Sequence, residues 1–190
     1  QNNVHVVWKQ SIGDGAIFYK KLDNRGINLT SEIRVSMKGI RTYEHSASVD
    51  SNGDVHVVWV YQPYFTEVIY KRLDNNGNNI TNEITLVQQN QWLWYRSPVV
   101  AAGKDISYVA YVTDQPTGPP GVTILSVDKD GAIKGYLGGV GNTNPSLAVA
   151  SNGDIYASAT QTITRNQTQY SSIAYAKFNQ SGFVHMRSTL

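Results

Sequence analysis

The chain contains no cysteine, so no disulfide braces it and no thiolate serves as a nucleophile or metal ligand. That absence does not fix the compartment, because secreted proteins can do without disulfides. Charged residues make up only 16% of the 190 residues, and no run of 18 apolar residues occurs, so membrane insertion is not expected. The net charge of +2 has no cluster of Lys or Arg behind it, and nucleic acid is not expected as a partner despite a pI near 8.7. No stretch carries apolar residues at the helical period, and neither a Gly-X-Ser-X-Gly elbow nor a phosphate-binding loop is present. The chain opens on Gln1 without Met or a signal peptide, which reads as a mature or trimmed product.

What is present is a repeat. Val4 to Trp8 reads Val-His-Val-Val-Trp, and Val55 to Trp59 reads the same. Ile17 to Asp23 is matched by Val68 to Asp74, and weaker copies run over Val122 to Asp128 and Ile173 to Asn179. The closing glycines Gly26, Gly77, Gly131 and Gly182 are 51, 54 and 51 residues apart. Four units of about 50 residues therefore fill the chain, and a repeat on that scale means a modular fold.

Each unit reads as short strands broken by turn chemistry. In the second, Ser46 to Asp50, Val55 to Val60, Glu67 to Leu73 and Glu83 to Val87 are the expected strands, and Ser51-Asn52-Gly53-Asp54 is a turn. Along Val55 to Val60 both faces are apolar, which requires a sheet covered on both sides. Repeated four-stranded meanders stacked face to face make a β-propeller. The fold expected is all-β: a propeller of four blades, approximately 1–37, 44–88, 97–138 and 144–190, each a four-stranded antiparallel meander, the first lacking its first strand. Fifteen strands then leave three arrangements open: a four-bladed ring with one incomplete blade, part of a larger ring, or a strand supplied by another subunit through an open edge.

The pattern Asn-Gly-Asp-Val-His-Val-Val-Trp followed by Ile-Tyr-Lys-Arg-Leu-Asp-Asn-Asn-Gly resembles the repeats of sialidase-like propellers. The resemblance covers nearly the whole chain but concerns blades alone, because the aspartate box Ser-X-Asp-X-Gly-X-Thr-Trp is absent. Sialidase-type hydrolysis would imply an arginine cluster, a Tyr–Glu pair and an acidic proton donor. Arg41, Arg96 and Arg165 fall in different units and Glu44 lies near the first of them, but their sequence positions do not bring them together.

The variable connections, 62–66, 114–121, 161–169, 38–45, 88–96 and 138–144, all fall at one end of such a scaffold, where binding residues usually sit. Candidate ligand contacts there are Trp92, Trp94, Tyr95, Arg96, Tyr64, Phe65, Arg41 and Arg165, since aromatic faces stack on sugar rings and Arg binds hydroxyls or carboxylates. Trp92 or Trp94 packing between blades is the competing reading. Trp8 and Trp59, with Tyr111 and Thr160 at the same place in later units, and His5 and His56 read as packing residues. Asp50 to Asp54 and Asp128 to Gly131 lack the rest of a calcium loop, so no metal or cofactor is expected. Asn-X-Ser/Thr sequons at Asn28, Asn79, Asn166 and Asn179 are candidate glycosylation sites or plain turn residues. The function expected is a non-catalytic extracellular binding or adhesion module for a glycan or protein ligand. One alternative is a structural subunit of a surface layer, filament or virion that self-associates through its end strands. The other is a fragment of a sialidase-like glycosidase.

Overall fold

The structure, a computed structural model, describes residues 3–10, 15–37, 41–62, 66–88, 93–166, 168–179 and 182–189, with Arg165 and 182–189 in backbone only. Among these residues fifteen strands form four antiparallel sheets, and no helix occurs. The first sheet holds β1 (Val4–Lys9), β2 (Ile17–Leu22) and β3 (Ile33–Arg34). The second holds β4 (Thr42–Val49), β5 (Val55–Tyr61), β6 (Glu67–Leu73) and β7 (Ile84–Gln88). The third holds β8 (Trp94–Ala101), β9 (Ile106–Asp114), β10 (Gly121–Asp128) and β11 (Ile133–Gly138). The fourth holds β12 (Thr143–Val149), β13 (Ile155–Arg165), β14 (Thr168–Asn179) and β15 (Gly182–Thr189). Every strand pairs with its neighbour in sequence, and the first sheet has three strands where the others have four.

The turns follow from side chains that offer the backbone a local partner. The carboxylates of Asp23, Asp74 and Asp128 each accept the N–H groups two and four residues on, and Gly26, Gly77 and Gly131 then take φ of 82°, 87° and 88°. The repeated sequons have a structural use as well. Thr30 Oγ1 accepts the N–H of Lys21 and Thr81 Oγ1 that of Arg72, both at 3.0 Å.

Three apolar cores hold the sheets together, one per junction. Ile17, Tyr19 and Val35 of the first sheet meet Val55, Val57, Trp59, Ile69 and Leu73 of the second. Val58, Val68 and Tyr70 on the other face of the second sheet meet Val109, Tyr111, Leu125 and Val127 of the third. Ala110, Val112, Val122 and Ile124 then meet Ile155, Ala157, Ala159, Ala174, Ala176 and Phe178 of the fourth. Hence β5 and β6 are buried on both faces, as the two-sided apolar pattern of Val55 to Val60 requires, while β14 alternates between exposed and buried. Polar side chains stitch the same junctions: Lys71 Nζ donates to Val35 O at 2.7 Å, and Ser48 Oγ accepts the N–H of Ala102 at 3.0 Å.

Several sequence expectations move. The first strand of the second sheet starts at Thr42 rather than Ser46. The segment 161–169, expected as a loop, is largely strand, because β13 and β14 stay paired out to Arg165 and Thr168. Residue matching down the repeat also shifts. Leu73 at the end of β6 and Phe178 near the end of β14 pair with Val55 and Ile155, so Ala159, not Thr160, takes the place of Trp59. The first strands β4, β8 and β12 each carry a register shift, at Thr42/His45, Arg96/Val99 and Thr143/Ser146. Pro98 and Pro145 fall inside two of these shifts, where no ladder N–H is required of them.

Candidate functional site

The register shifts bend β4, β8 and β12 at the same end of the stack, the end away from the Asp-Gly turns. Ser97 and Asn144 take left-handed φ of 50° and 52° there, a backbone state that costs a non-glycine residue of order 1 kcal/mol or more. At this end the Ser97 N–H donates to the Glu44 carboxylate, joining β8 to β4. Arg96, one residue before, lies in strand β8 and grips Asp114 at the end of β9 with two bonds, Nε to Oδ2 at 2.6 Å and Nη2 to Oδ1 at 3.1 Å. The hydrogen bonds of Asp114, followed by its charge and that of Glu44, push the Arg96 guanidinium further above its ordinary pKa, so it is a permanent cation between two carboxylates. Arg96 and Asp114 keep about a third of their side chains exposed (36% and 35%), so the group is reachable from solvent.

The other candidates separate. Trp94, paired across the strands with Asp114, is 57% exposed and stands beside the Arg96–Asp114 pair as an open aromatic face. Tyr95 points the other way: it is buried, edge-on to Tyr111 at 5.4 Å, and burial raises its pKa, with the nearby Tyr136 adding to the effect. It is a core residue, as alternation along β8 demands. Arg41 is exposed at φ 74°, its carbonyl accepting the Gln62 N–H at 3.0 Å. Trp92, Tyr64 and Phe65 lie outside the described residues, as does the side chain of Arg165. The sequon asparagines Asn28, Asn79, Asn166 and Asn179 are all exposed. Asp114 was not singled out in the sequence; what could have found it is its place at the last residue of the strand that pairs with Trp94 to Arg96.

His56 does not belong to this end. It is buried at the turn end, its Nδ1 facing the Tyr70 and Ser107 hydroxyls at 2.7 and 3.0 Å and its Nε2 facing Asp50 at 3.4 Å. Asp50 also accepts Arg72 Nη2 at 3.3 Å, and Arg72 reaches Asp54 at 2.6 Å. At the third–fourth junction Tyr108 and Ser126 stand where His56 and Arg72 stand, and Gly103 where Asp50 stands. A cavity of about 1030 Å³ opens there, lined in part by Gly103, Tyr108, Ser126, Tyr136 and Asn152.

No protein-family model matches the chain, and no curated protein matches its sequence. Solved structures do resemble it. An α-L-arabinofuranosidase, CtGH43, from Clostridium thermocellum ATCC 27405 superposes with a TM-score of 0.58 at 14% identity, over 99% of this chain and 70% of that one. A thermostable family-43 glycoside hydrolase gives 0.54 at 10% identity, over 100% and 72%. An endo-arabinase from Bacteroides thetaiotaomicron VPI-5482 gives 0.50 at 10% identity, over 97% and 71%. The likeness is one of fold, that of a β-propeller; these neighbours have five blades, and the expected four-blade ring does not follow from it. The expectations of a non-catalytic module and of no enzyme are overturned by these neighbours, each of which is a glycoside hydrolase. None of the three is a sialidase.

Proposed function

We propose that the chain is the propeller part of a glycoside hydrolase acting on an arabinose-containing glycan, each of its four sheets being one blade. The observation that carries this reading is the pair of carboxylates, Glu44 and Asp114, set about Arg96 at one end of the stack. Glycosidic bond cleavage needs two carboxyl groups, one to protonate the leaving oxygen and one to activate water or attack the anomeric carbon. Asp114, committed to the guanidinium, is the second of these, the carboxylate held in place by a bidentate partner. Glu44, held by one backbone N–H, is left to supply the other role, taking up a proton before it passes one to the leaving oxygen. Trp94 offers its exposed face for a sugar ring to stack on. Arg96 is a positioning residue, fixing the Asp114 carboxylate rather than touching the reacting bond. An extracellular setting belongs to the same proposal and accords with the exposed sequon asparagines.

The test is release of nitrophenol from 4-nitrophenyl α-L-arabinofuranoside and of reducing ends from arabinan, with a fluorogenic sialoside as the contrasting substrate. Glu44→Gln and Asp114→Asn should each lower kcat by about 10²-fold or more, the usual worth of a positioned acid or base. Turnover that survives both substitutions would place the chemistry elsewhere. Sialoside turnover without arabinoside turnover would return the chain to its sialidase-like resemblance.

A further inference from the structure

The two outer faces of the stack are the two halves of the junction that recurs inside it. On the first sheet, Val4, Val6, Trp8, Phe18, Lys20 and Leu22 share one face by their pairing. On the second sheet, Val55, Val57, Trp59, Ile69, Lys71 and Leu73 occupy the same places and pack on the first sheet. The face is thus reproduced nearly residue for residue. In the second sheet Trp59 is fully buried and Lys71 reaches the main chain of the preceding sheet. In the first sheet Val4 is 47% exposed, and Trp8, half-buried, stacks on Phe18 of its own sheet at 5.9 Å.

The opposite end shows the complementary half. Lys21 of the first sheet donates to the main-chain oxygen and Oδ1 of Asn75, in the turn of the second sheet, at 3.0 and 2.8 Å. Arg72 repeats the contact to Lys129 O of the third sheet at 3.2 Å. Lys177 holds that place on the fourth sheet, paired with its own Asp154 at 2.6 Å, as Arg72 is with Asp54. Around it Tyr156, Ile173 and Tyr175 are 46%, 60% and 38% exposed on the face that in the first three sheets is covered by the next.

We infer that a second copy of this chain docks head to tail, the fourth sheet of one copy covering the outer face of the first sheet of the next. The choice of occupant rests on residue type. Asn24 stands in the first sheet's turn where Asn75 stands in the second's, and it is exposed, so Lys177 meets the partner's Asn24 as Lys21 meets Asn75. In return the partner's Lys20 reaches the main chain of β15, as Lys71 reaches Val35, and the partner's Trp8 and Val4 cover Tyr175 and Ile173. Such a contact joins two different surfaces, so it closes into a ring when the rotation allows and otherwise runs on.

Sedimentation velocity of the whole chain over roughly 1–200 μM tests this, a span that brackets the affinities of ordinary contacts between subunits. The wild type should associate with concentration. Lys20→Glu and Ile173→Asp, one at each end, should each weaken association by about 10-fold or more, the equivalent of 1.4 kcal/mol, with unchanged circular dichroism. Because the two surfaces differ, mixing the variants should restore a one-to-one dimer that grows no further: the sound fourth sheet of Lys20→Glu seats on the sound first sheet of Ile173→Asp. A wild type that stays monomeric throughout overturns the inference, whether because a further sheet of a longer polypeptide fills the gap or because nothing does. Association indifferent to both changes, or a mixture that remains monomeric, overturns it too. None of these outcomes depends on turnover.

Discussion

The second and third sheets meet at their turn end through a dense polar network, whereas the third and fourth meet over a cavity. In the former, Asp50 accepts two backbone N–H groups, His56 and Arg72, with none of its side chain exposed. In the latter, Gly103, Tyr108 and Ser126 occupy the same repeat positions and leave space of about 1030 Å³. The strand order is the same in both, so the difference lies in these side chains and in the turn backbone at Gly103. A buried carboxylate is tolerable only with its full set of donors, and a unit that loses one member of such a set does best to lose all of them. Gly103 also bars a simple return to Asp, since a Cβ there would sit 2.3 Å from Ile106 O.

Breaking the filled junction should therefore cost far more than altering the open one. Arg72→Met strips Asp50 and Asp54 of their cation and should destabilise the chain by about 3–5 kcal/mol, the cost of an uncompensated buried charge, as read by urea denaturation. A loss under about 1 kcal/mol would mean that water reaches Asp50. Tyr70→Phe removes the hydroxyl facing His56 and should cost about 1–2 kcal/mol; Tyr19→Phe, which breaks the half-buried His5 pair at 2.9 Å, should cost less.

The pH dependence is the next smaller effect. Burial lowers the pKa of His56 below its ordinary 6.5, with the hydrogen bond and charge of Asp50 opposing and the charge of Arg72 assisting. The folded chain thus refuses a proton that the unfolded chain accepts. Stability is full above 6.5 and declines as pH falls from there to the folded-state pKa. Urea midpoints taken at pH values on either side of that window should show the decline, and His56→Gln should flatten it; a slope unchanged in the variant would assign the dependence to other groups. The smallest effect belongs to the open junction: Ser126→Ala gives up a 3.3 Å bond to Gly135 O and should shift stability by no more than about 0.5 kcal/mol.

Much of the scaffold was legible because it is local. The Asp and Gly of each turn fix their own hydrogen bonds within four residues, and the Val-His-Val-Val-Trp strand shows two apolar faces before any partner is known. The site was legible only in part. Arg96 and Trp94 were named for their chemistry, but they were placed in a loop, because the strand carrying them is bent at Ser97 and Pro98 and its alternation is hidden there. Tyr95 was misread for the same reason: one step along a strand turns a residue from mouth to core. Glu44 and Ser97 are 53 residues apart in sequence, and only sheet stacking brings them into contact.

The sequence by itself determined the period, the order of strands and the turns, all of which follow from side-chain alternation and from φ that glycine alone takes readily. Tertiary structure decided which residue answers which between units, placing Ala159 and not Thr160 opposite the Trp59 position. It also decided that Asp50, His56 and Arg72 form one buried set and that Glu44 and Asp114 flank Arg96. The physical reason is the same in each case: these contacts join neighbouring strands or whole sheets, so they depend on register and stacking angle, which no single segment encodes.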